Sequence, residues 1–460
     1  MSPLAATAAM PLSPSVSTPE PTDACDVLVI GGGPAGSTVA ALLARQGRDV
    51  LLVDKEQHPR FHIGESLLPA NVQLFDQLGV RAEVERIGMP KYGIEFVSPE
   101  HAHCSYVDFA DAFNKDMPFA WQVRRSELDE VLFRNAAACG ARTLERCHVR
   151  SVDFDADGAS AQAQLADGTR RQFRARYVVD ASGRDTLLAN QLRSKKKNTA
   201  HNSTALFGHF RNVRRLEGKR EGNISICWFP HGWFWFIPLA DGTTSVGAVC
   251  WAYYLKARGA KTLEQYFRET IALCPELADR LKDATLVDGA VHATGNFSYS
   301  STHATGPRYV LLGDAFTFID PMFSSGVYLA MHSAFDGAGL VAKALDAPAE
   351  YPAACRAFEA MMRKGPREYS WFIYRVTNPT IREMFMYPAN PFRVKEALMS
   401  LLAGDIYGKT PLWGALRMFK AIYYMISLGH PLRSWRGWRR RGANIRDHGL
   451  LAGETVQQVK

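Results

Sequence analysis

Gly31, Gly33 and Gly36 stand at the spacing G-x-G-x-x-G in Gly31-Gly32-Gly33-Pro34-Ala35-Gly36, and Asp54 follows. Residues of these types at this spacing can hold a dinucleotide. Gly31 permits the tight turn, Gly33 lets the backbone approach a pyrophosphate, and Gly36 allows close helix–strand packing. Ala35 lies between them, on the first turn of the helix. The helix N-terminus then faces the phosphate charge. Asp54 is placed to accept a hydrogen bond from a ribose hydroxyl. Without a ligand the same glycines would be only a turn, and the motif alone does not separate NAD from FAD.

The elements around the motif have the order it requires. Asp26 to Ile30 (DVLVI) is a short β-branched run, which predicts a buried strand. A helical stretch follows the glycines to Gly47. A second strand, Asp49 to Val53, delivers Asp54 at its end. Strand, helix and strand in this order indicate an α/β, Rossmann-type fold.

Distant segments add a resemblance. Tyr309 to Leu312 predicts a strand that runs into Gly313-Asp314-Ala315 and then Ile319-Asp320-Pro321. Val123-Arg124-Arg125-Ser126 and Asp180-Ala181-Ser182-Gly183 precede it. In this order the segments resemble those of the FAD-dependent monooxygenase-like superfamily. The resemblance implies that Asp314 contacts the sugar chain of FAD and that Arg125 contacts the cofactor. As a residue in its own right, Asp314 could also cap a following helix.

A second group of motifs narrows the resemblance to flavin-dependent halogenases. Trp233-Phe234-Trp235-Phe236-Ile237-Pro238 reads W-x-W-x-I-P. In that family Trp233, Trp235 and Pro238 would lie beside the flavin, although alternating aromatics also fill ordinary strands. His62-Ile63-Gly64-Glu65-Ser66-Leu67-Leu68-Pro69 is similar to a G-E-S-x-x-P strap and places Ser66 at the cofactor. Met89-Pro90-Lys91-Tyr92-Gly93-Ile94-Glu95-Phe96 is similar to the segment that carries the family's catalytic lysine, here Lys91. Ser324-Ser325-Gly326-Val327 would bring Ser324 near that amine. It would hold a halide on the amides of Ser325 and Gly326, and set Gly326 and Val327 against the cofactor. Tryptophan halogenases carry a Glu just before this serine pair. Phe323 stands there instead, so the pattern lies nearer the phenol and pyrrole types. The likeness runs over roughly residues 26 to 400.

The resemblance implies halogenation dependent on FADH2 and O2. Chloride or bromide becomes hypohalous acid, and Lys91 relays it to an electron-rich, phenol-like ring, free or tethered to a carrier protein. Burial of Lys91 would lower its pKa and favour this role. Only one G-x-G-x-x-G is present, so a separate flavin reductase is the expected partner. An FAD-dependent aromatic hydroxylase, or another FAD oxidoreductase of the same fold, is the alternative.

Composition sets the frame. The chain has 460 residues, 47% hydrophobic and 22% charged, with net charge +8. This is a globular balance, neither disordered nor fibrous. Eight cysteines without a C-x-x-C pair suggest no zinc or redox pair and fit a cytoplasmic protein. His101, His103 and Cys104 lack further ligands at a metal spacing, and no metal is expected. Residues 1–24 are read as a flexible tail. Residues 25–330 form the FAD-binding domain, interleaved with an antiparallel substrate sheet over about 92–300. Residues 331–432 form a helical lobe, and 433–460 a basic tail. Trp413 to Leu428 holds Arg417 and Lys420 and predicts a half-buried helix rather than a span. The basic tail defaults to solvent. Its favoured function is docking an acidic carrier protein, with neither nucleic acid nor membrane expected as partner.

Overall fold

A computed structural model describes residues 22–295 and 298–445 of the chain. The strand Thr22–Ile30 lies at the centre of a sheet, parallel to Val50–Val53 on one side and to Arg170–Asp180 on the other. Val27 to Ile30 are buried, as a parallel strand covered on both faces must be. Tyr309–Leu311 adds in parallel beyond Val178 to Asp180, and Arg142–Leu144 beyond Leu51 to Val53. Residues 22–24, assigned above to a tail, are already strand and pair with 172–174. The rest of that segment lies outside the described residues. The helix Pro34–Arg45 packs against the helices Arg125–Ala138 and Gly326–Asp346, so segments far apart in sequence build one layer.

The protein has a second large sheet. Its strand order is 285–286, 203–211, 244–251, 232–238, 224–229, 93–97 and 105–108. It is antiparallel except that Gly93–Val97 runs parallel to Ile224–Phe229, which corrects the wholly antiparallel expectation. Strands 142–144, 147–154, 159–165 and 170–180 also fall between 92 and 300, yet they join the first sheet. The buried run Tyr177-Val178-Val179 can be covered on both faces only there.

Alternation in Gly232–Pro238 explains its composition. Trp233, Trp235 and Ile237 enter the main core, whereas Phe234 and Phe236 enter a second core beneath the helix Leu263–Ile271. A buried ion pair anchors this second sheet. Arg280 donates to Glu95 Oε2 at 2.7 Å and to Oε1 at 2.9 Å, and Ser225 Oγ and Tyr106 Oη also donate to Glu95.

The C-terminal lobe is helical. Its first helix, Gly326–Asp346, begins five residues before the expected boundary at 331. Helices Tyr351–Ile373, Pro379–Met386, Val394–Ala403 and Leu412–Gly429 follow. Pro379 opens its helix, where its missing N–H costs nothing. Residues 431–445 form a further helix, so 433–445 of the expected tail 433–460 are helical, and 446–460 lie outside the described residues. Arg440 donates to Pro230 O and Arg441 to Ala200 O, and these bonds hold its C-terminal end on the rest of the molecule. All eight cysteines are free. Among the described residues no helix is long and apolar enough to cross a membrane.

Candidate active site

A cavity of about 570 Å³ opens between the glycine turn and the second sheet, within the range of small-molecule and cofactor sites. Gly31, Gly33, Ala35 and Asp54 line one end. Gly31 has φ +102°, and a Cβ there would stand 2.4 Å from Ala181 O. Only glycine fits this turn. Gly36 does not line the cavity. A Cβ on it would meet Gly31 O at 1.8 Å, so it serves the packing of helix on turn. Gly33 is different, because a Cβ there would meet nothing closer than Arg60 Nη2 at 3.6 Å. The space above Gly33 is open toward a ligand, and as N-cap of its helix it makes no side-chain capping bond. The first N–H groups of that helix are therefore left for an anion.

Asp54 is held ready. Gly32 N donates to its Oδ2 at 2.7 Å and Glu56 N to its Oδ1 at 2.8 Å. A carboxylate has lone pairs beyond these two. Arg125 also lines the cavity and donates to both oxygens of Asp129, at 2.9 and 3.0 Å. Burial would raise the Asp129 carboxyl, but Arg125 holds it below the usual range. Arg124, its neighbour in sequence, turns away to Asp241 and Thr243.

Asp314 lines the cavity near the start of the Gly326–Asp346 helix. It caps no helix; it sits inside a short 3-10 turn, Gly313–Ala315. Burial lifts its carboxyl to about 6, against the lowering influence of Arg125 and Arg184.

Trp233 and Trp235 form the wall opposite, and Trp235 Nε1 donates to Ser245 Oγ at 3.1 Å. Trp235 lies flat on Gly247, where a Cβ would stand 2.2 Å from its ring. Pro238 ends the strand, paired with Thr244, and does not reach the cavity. Ser66, Ser324, Gly326 and Val327 complete the lining.

Lys91 lies behind this wall. The strand Met89–Lys91 pairs with Ala120–Gln122 and leaves Lys91 1% exposed. Its Nζ donates to Ser66 Oγ at 2.9 Å and to Leu67 O at 3.0 Å, and it stands 5.2 Å from the Phe109 ring centroid. Burial draws the ammonium down from 10.5 to about 7. The sequence reading paired this amine with Ser324. Its hydroxyl partner is Ser66, because the strap Gly64 to Leu68 passes between the lysine and the cavity.

Ser324 has φ 54°, ψ 20°, and Ser325 has φ −83°, ψ −11°. Ser324 N donates to Pro321 O at 3.0 Å, and the next two N–H groups of the turn, those of Ser325 and Gly326, follow a left-handed and a right-handed residue, an arrangement that can cradle an anion. Ser325 opens the Gly326–Asp346 helix without a side-chain cap, so that helix's first amides are not consumed by its own serine. Ser325 and Gly326 also line a small neighbouring cavity of about 40 Å³, with Asp314 and Asp320 in its wall. Phe323 is buried and stacks on Tyr369 at 6.0 Å.

Several lining residues were not singled out from sequence. Lys55, Arg60 and Arg184 join Arg125 around the cavity, and an arginine with no fixed spacing leaves no local signal. Glu65 Oε1 meets His209 Nε2 at 2.8 Å in the cavity wall. His101, His103 and Cys104 lie in a loop where the two imidazoles have other partners. His103 bonds Met386 O and His101 bonds Ser98 Oγ, and the described residues hold no cluster of metal-ligating side chains.

Comparison with known proteins places this geometry. A model of the FAD binding domain family matches residues 24–351. A tryptophan 2-halogenase of Chondromyces crocatus is 37% identical over 320 residues, 68% of this chain and 60% of that protein. A 1H-pyrrole-2-carbonyl-(peptidyl-carrier protein) chlorinase of Pseudomonas fluorescens is 30% identical over 407 residues, 83% of this chain and 89% of that protein. The chain spans less than two thirds of the length of several other halogenase relatives, 63% and 61% in two cases. Among solved structures, the myxobacterial chondrochloren halogenase matches with TM-score 0.74 and 32% identity, over 85% of this chain and 92% of that one. A flavoprotein/dehydrogenase of Cytophaga hutchinsonii matches with TM-score 0.80 and 29% identity, over 89% and 100%. The chain belongs to the flavin-dependent halogenases, and FAD is its cofactor. The residues present fit that group: an open approach over Gly33, uncapped amides at the helix start, Lys55, Arg60, Arg125 and Arg184 along the cavity, and carboxylates at Asp54 and Asp314.

Proposed function

We propose that the protein halogenates an electron-rich, phenol-like aromatic ring, with Lys91 as the residue that hands over the halogen. Bound FADH2 would supply the activation of O2 that turns chloride or bromide into hypohalous acid. The observation that carries the reading is Lys91. A lysine buried among strands, with no carboxylate partner and a pKa near 7, is neutral often enough at physiological pH to accept a halogen on nitrogen. A surface lysine would not be.

The other residues take roles around it. The amides of Ser325 and Gly326 would hold the halide. Trp233 and Trp235 would keep an organic substrate away from the cofactor. Ser66 would connect the cofactor cavity to the Lys91 amine. Phe323, in place of a carboxylate, removes an acceptor for an indole N–H. The tryptophan 2-halogenase relative makes tryptophan the substrate to test against this. The pyrrolyl-carrier chlorinase supports a carrier-tethered substrate, and the single dinucleotide unit supports a separate flavin reductase.

The likeness to a dehydrogenase structure favours a second reading, an FAD oxidoreductase or hydroxylase without halide chemistry. Mass spectrometry of aerobic reactions separates the two. Wild type, FAD, NADH, a flavin reductase and bromide are incubated with free phenols, carrier-bound aryl thioesters and tryptophan. Brominated phenolic products are expected. Bromotryptophan alone would overturn the substrate assignment, and oxygenated products indifferent to bromide would overturn the halogenase reading.

A further inference from the structure

The two last helices form a hairpin whose outer face is unlike the rest of the surface. Helix Leu412–Gly429 turns at Gly429 and His430 into helix Pro431–Ile445. At the turn Leu428 is 78% and Leu432 70% exposed, and Trp438 is 74% exposed. Met425 and Trp435 are also more than half exposed. Leu432, Trp435 and Trp438 are spaced by three and fall on one side of their helix. Large apolar side chains scattered singly on a surface need no explanation, but a contiguous row does.

The charge of the hairpin is one-sided. Residues 412–445 contain six arginines and Lys420 but no Asp or Glu. Arg433, Arg436 and Arg439 are exposed beside the apolar row, and Arg439 stacks over the Trp435 ring at 4.8 Å. The opposite side of the last helix is committed to the fold, with Asn444 buried and Arg441 bonded to Ala200 O. The hairpin is therefore held firmly while its tip projects.

We propose that this tip binds the surface of an anionic lipid bilayer. Exposed leucine, methionine and tryptophan at a helix-to-helix turn are suited to an environment that accepts apolar side chains without a shaped pocket. The boundary between headgroups and acyl chains provides one, with Trp rings and Arg stems at headgroup depth. Arg436 and Arg439, with Arg433 paired to Glu383 at 3.5 Å, add attraction to anionic headgroups. An acidic protein would satisfy the arginines but would have to supply pockets for five protruding side chains. Among the described residues no helix is long and apolar enough to cross a bilayer, and the contact proposed is interfacial. It does not depend on the halogenase reading.

The test is co-sedimentation of the full-length, FAD-loaded protein with vesicles of phosphatidylcholine alone or mixed with phosphatidylglycerol. Binding to the mixed vesicles, weakened by salt, is expected, with little binding to phosphatidylcholine. The variant Leu428→Ser/Leu432→Ser/Trp435→Ser/Trp438→Ser should bind at least about tenfold more weakly. Arg433→Gln/Arg436→Gln/Arg439→Gln should do likewise. Retained FAD absorbance reports that both variants are folded. Wild type left in the supernatant with anionic vesicles at low salt would overturn the proposal. So would undiminished binding of the serine variant. If wild type does not bind vesicles, and the serine variant instead loses turnover of a carrier-bound substrate or breaks a dimer seen by light scattering, the surface belongs to a protein.

Discussion

Lys91 Nζ lies 2.9 Å from Ser66 Oγ, and Ser66 lines the cofactor cavity while Lys91 stands behind it. The lysine thus meets the cavity through a hydroxyl. Ser66→Ala removes that link and leaves the amine bonded to Leu67 O alone. A hydrogen bond to the neutral amine contributes about 0.5–1.5 kcal/mol, so halogenation should fall about twofold to tenfold, with FAD still bound. Ser66→Thr should restore part of the rate. Product formation by Ser66→Ala at the wild-type rate would show that the hydroxyl is idle.

The depressed pKa of Lys91 sets a pH dependence. If the neutral amine carries the halogen, the rate should rise with pH through about 7 and then level. An ordinary lysine would place the rise near 10.5. Stability follows from the same shift. The unfolded chain holds the Lys91 proton up to 10.5 and the folded one only to about 7, so the unfolded state binds more protons between these values. Burying the charge therefore costs stability fully below about 7, and the cost disappears as pH rises toward 10.5. Lys91→Met should gain most over wild type in urea midpoint at pH 6, and the gain should shrink as pH rises to 10.

Gly33 and Gly36 should behave differently when replaced by alanine. Gly33→Ala meets no neighbour closer than 3.6 Å, so apoprotein melting should barely change while FAD affinity falls at least about tenfold. Gly36→Ala drives a Cβ to 1.8 Å from Gly31 O and should destabilise the apoprotein by about 1–3 kcal/mol or more. Calorimetry and FAD titration of the two variants check this.

Arg280→Met leaves the Glu95 carboxylate buried with no charged partner, facing the Ser225, Tyr106 and Cys104 side chains. Breaking a buried pair in this way costs about 3–5 kcal/mol, which urea unfolding would read. Burial raises the Glu95 carboxyl, but Arg280 carries the net shift below the usual range. The pair's contribution is therefore present above the unfolded value of 4.5 and is lost only as pH falls through the lower folded value.

Features whose causes are local were legible in the sequence. The turn at Gly31 and the strands on either side of it depend on neighbours, and their bounds differ from expectation by a few residues. Lys91 was found by its flanking residues, but its burial comes from Phe109 and from pairing with Ala120–Gln122, which no local pattern carries. Arg60 and Arg184 reach the cavity from loops whose course the fold decides. The parallel pairing of Gly93–Val97 with Ile224–Phe229 joins strands 130 residues apart. Pro366 should interrupt a helix, yet it lies inside Tyr351–Ile373, where packing on the Gly326–Asp346 helix outweighs propensity. In 431–445 the arginines masked the spacing of Leu432, Trp435 and Trp438, and a helix read as a tail.

The most direct test of the central claim compares wild type with Lys91→Ala at equal FAD occupancy, supplied with a flavin reductase, O2, bromide and a reactive phenol, with products followed by mass spectrometry. A bromine-dependent mass shift in wild type, absent in Lys91→Ala while halide-driven O2 consumption continues, is the result this account predicts. Equal bromination by both enzymes, or a product carrying oxygen and no halogen that forms without the reductase, would contradict it.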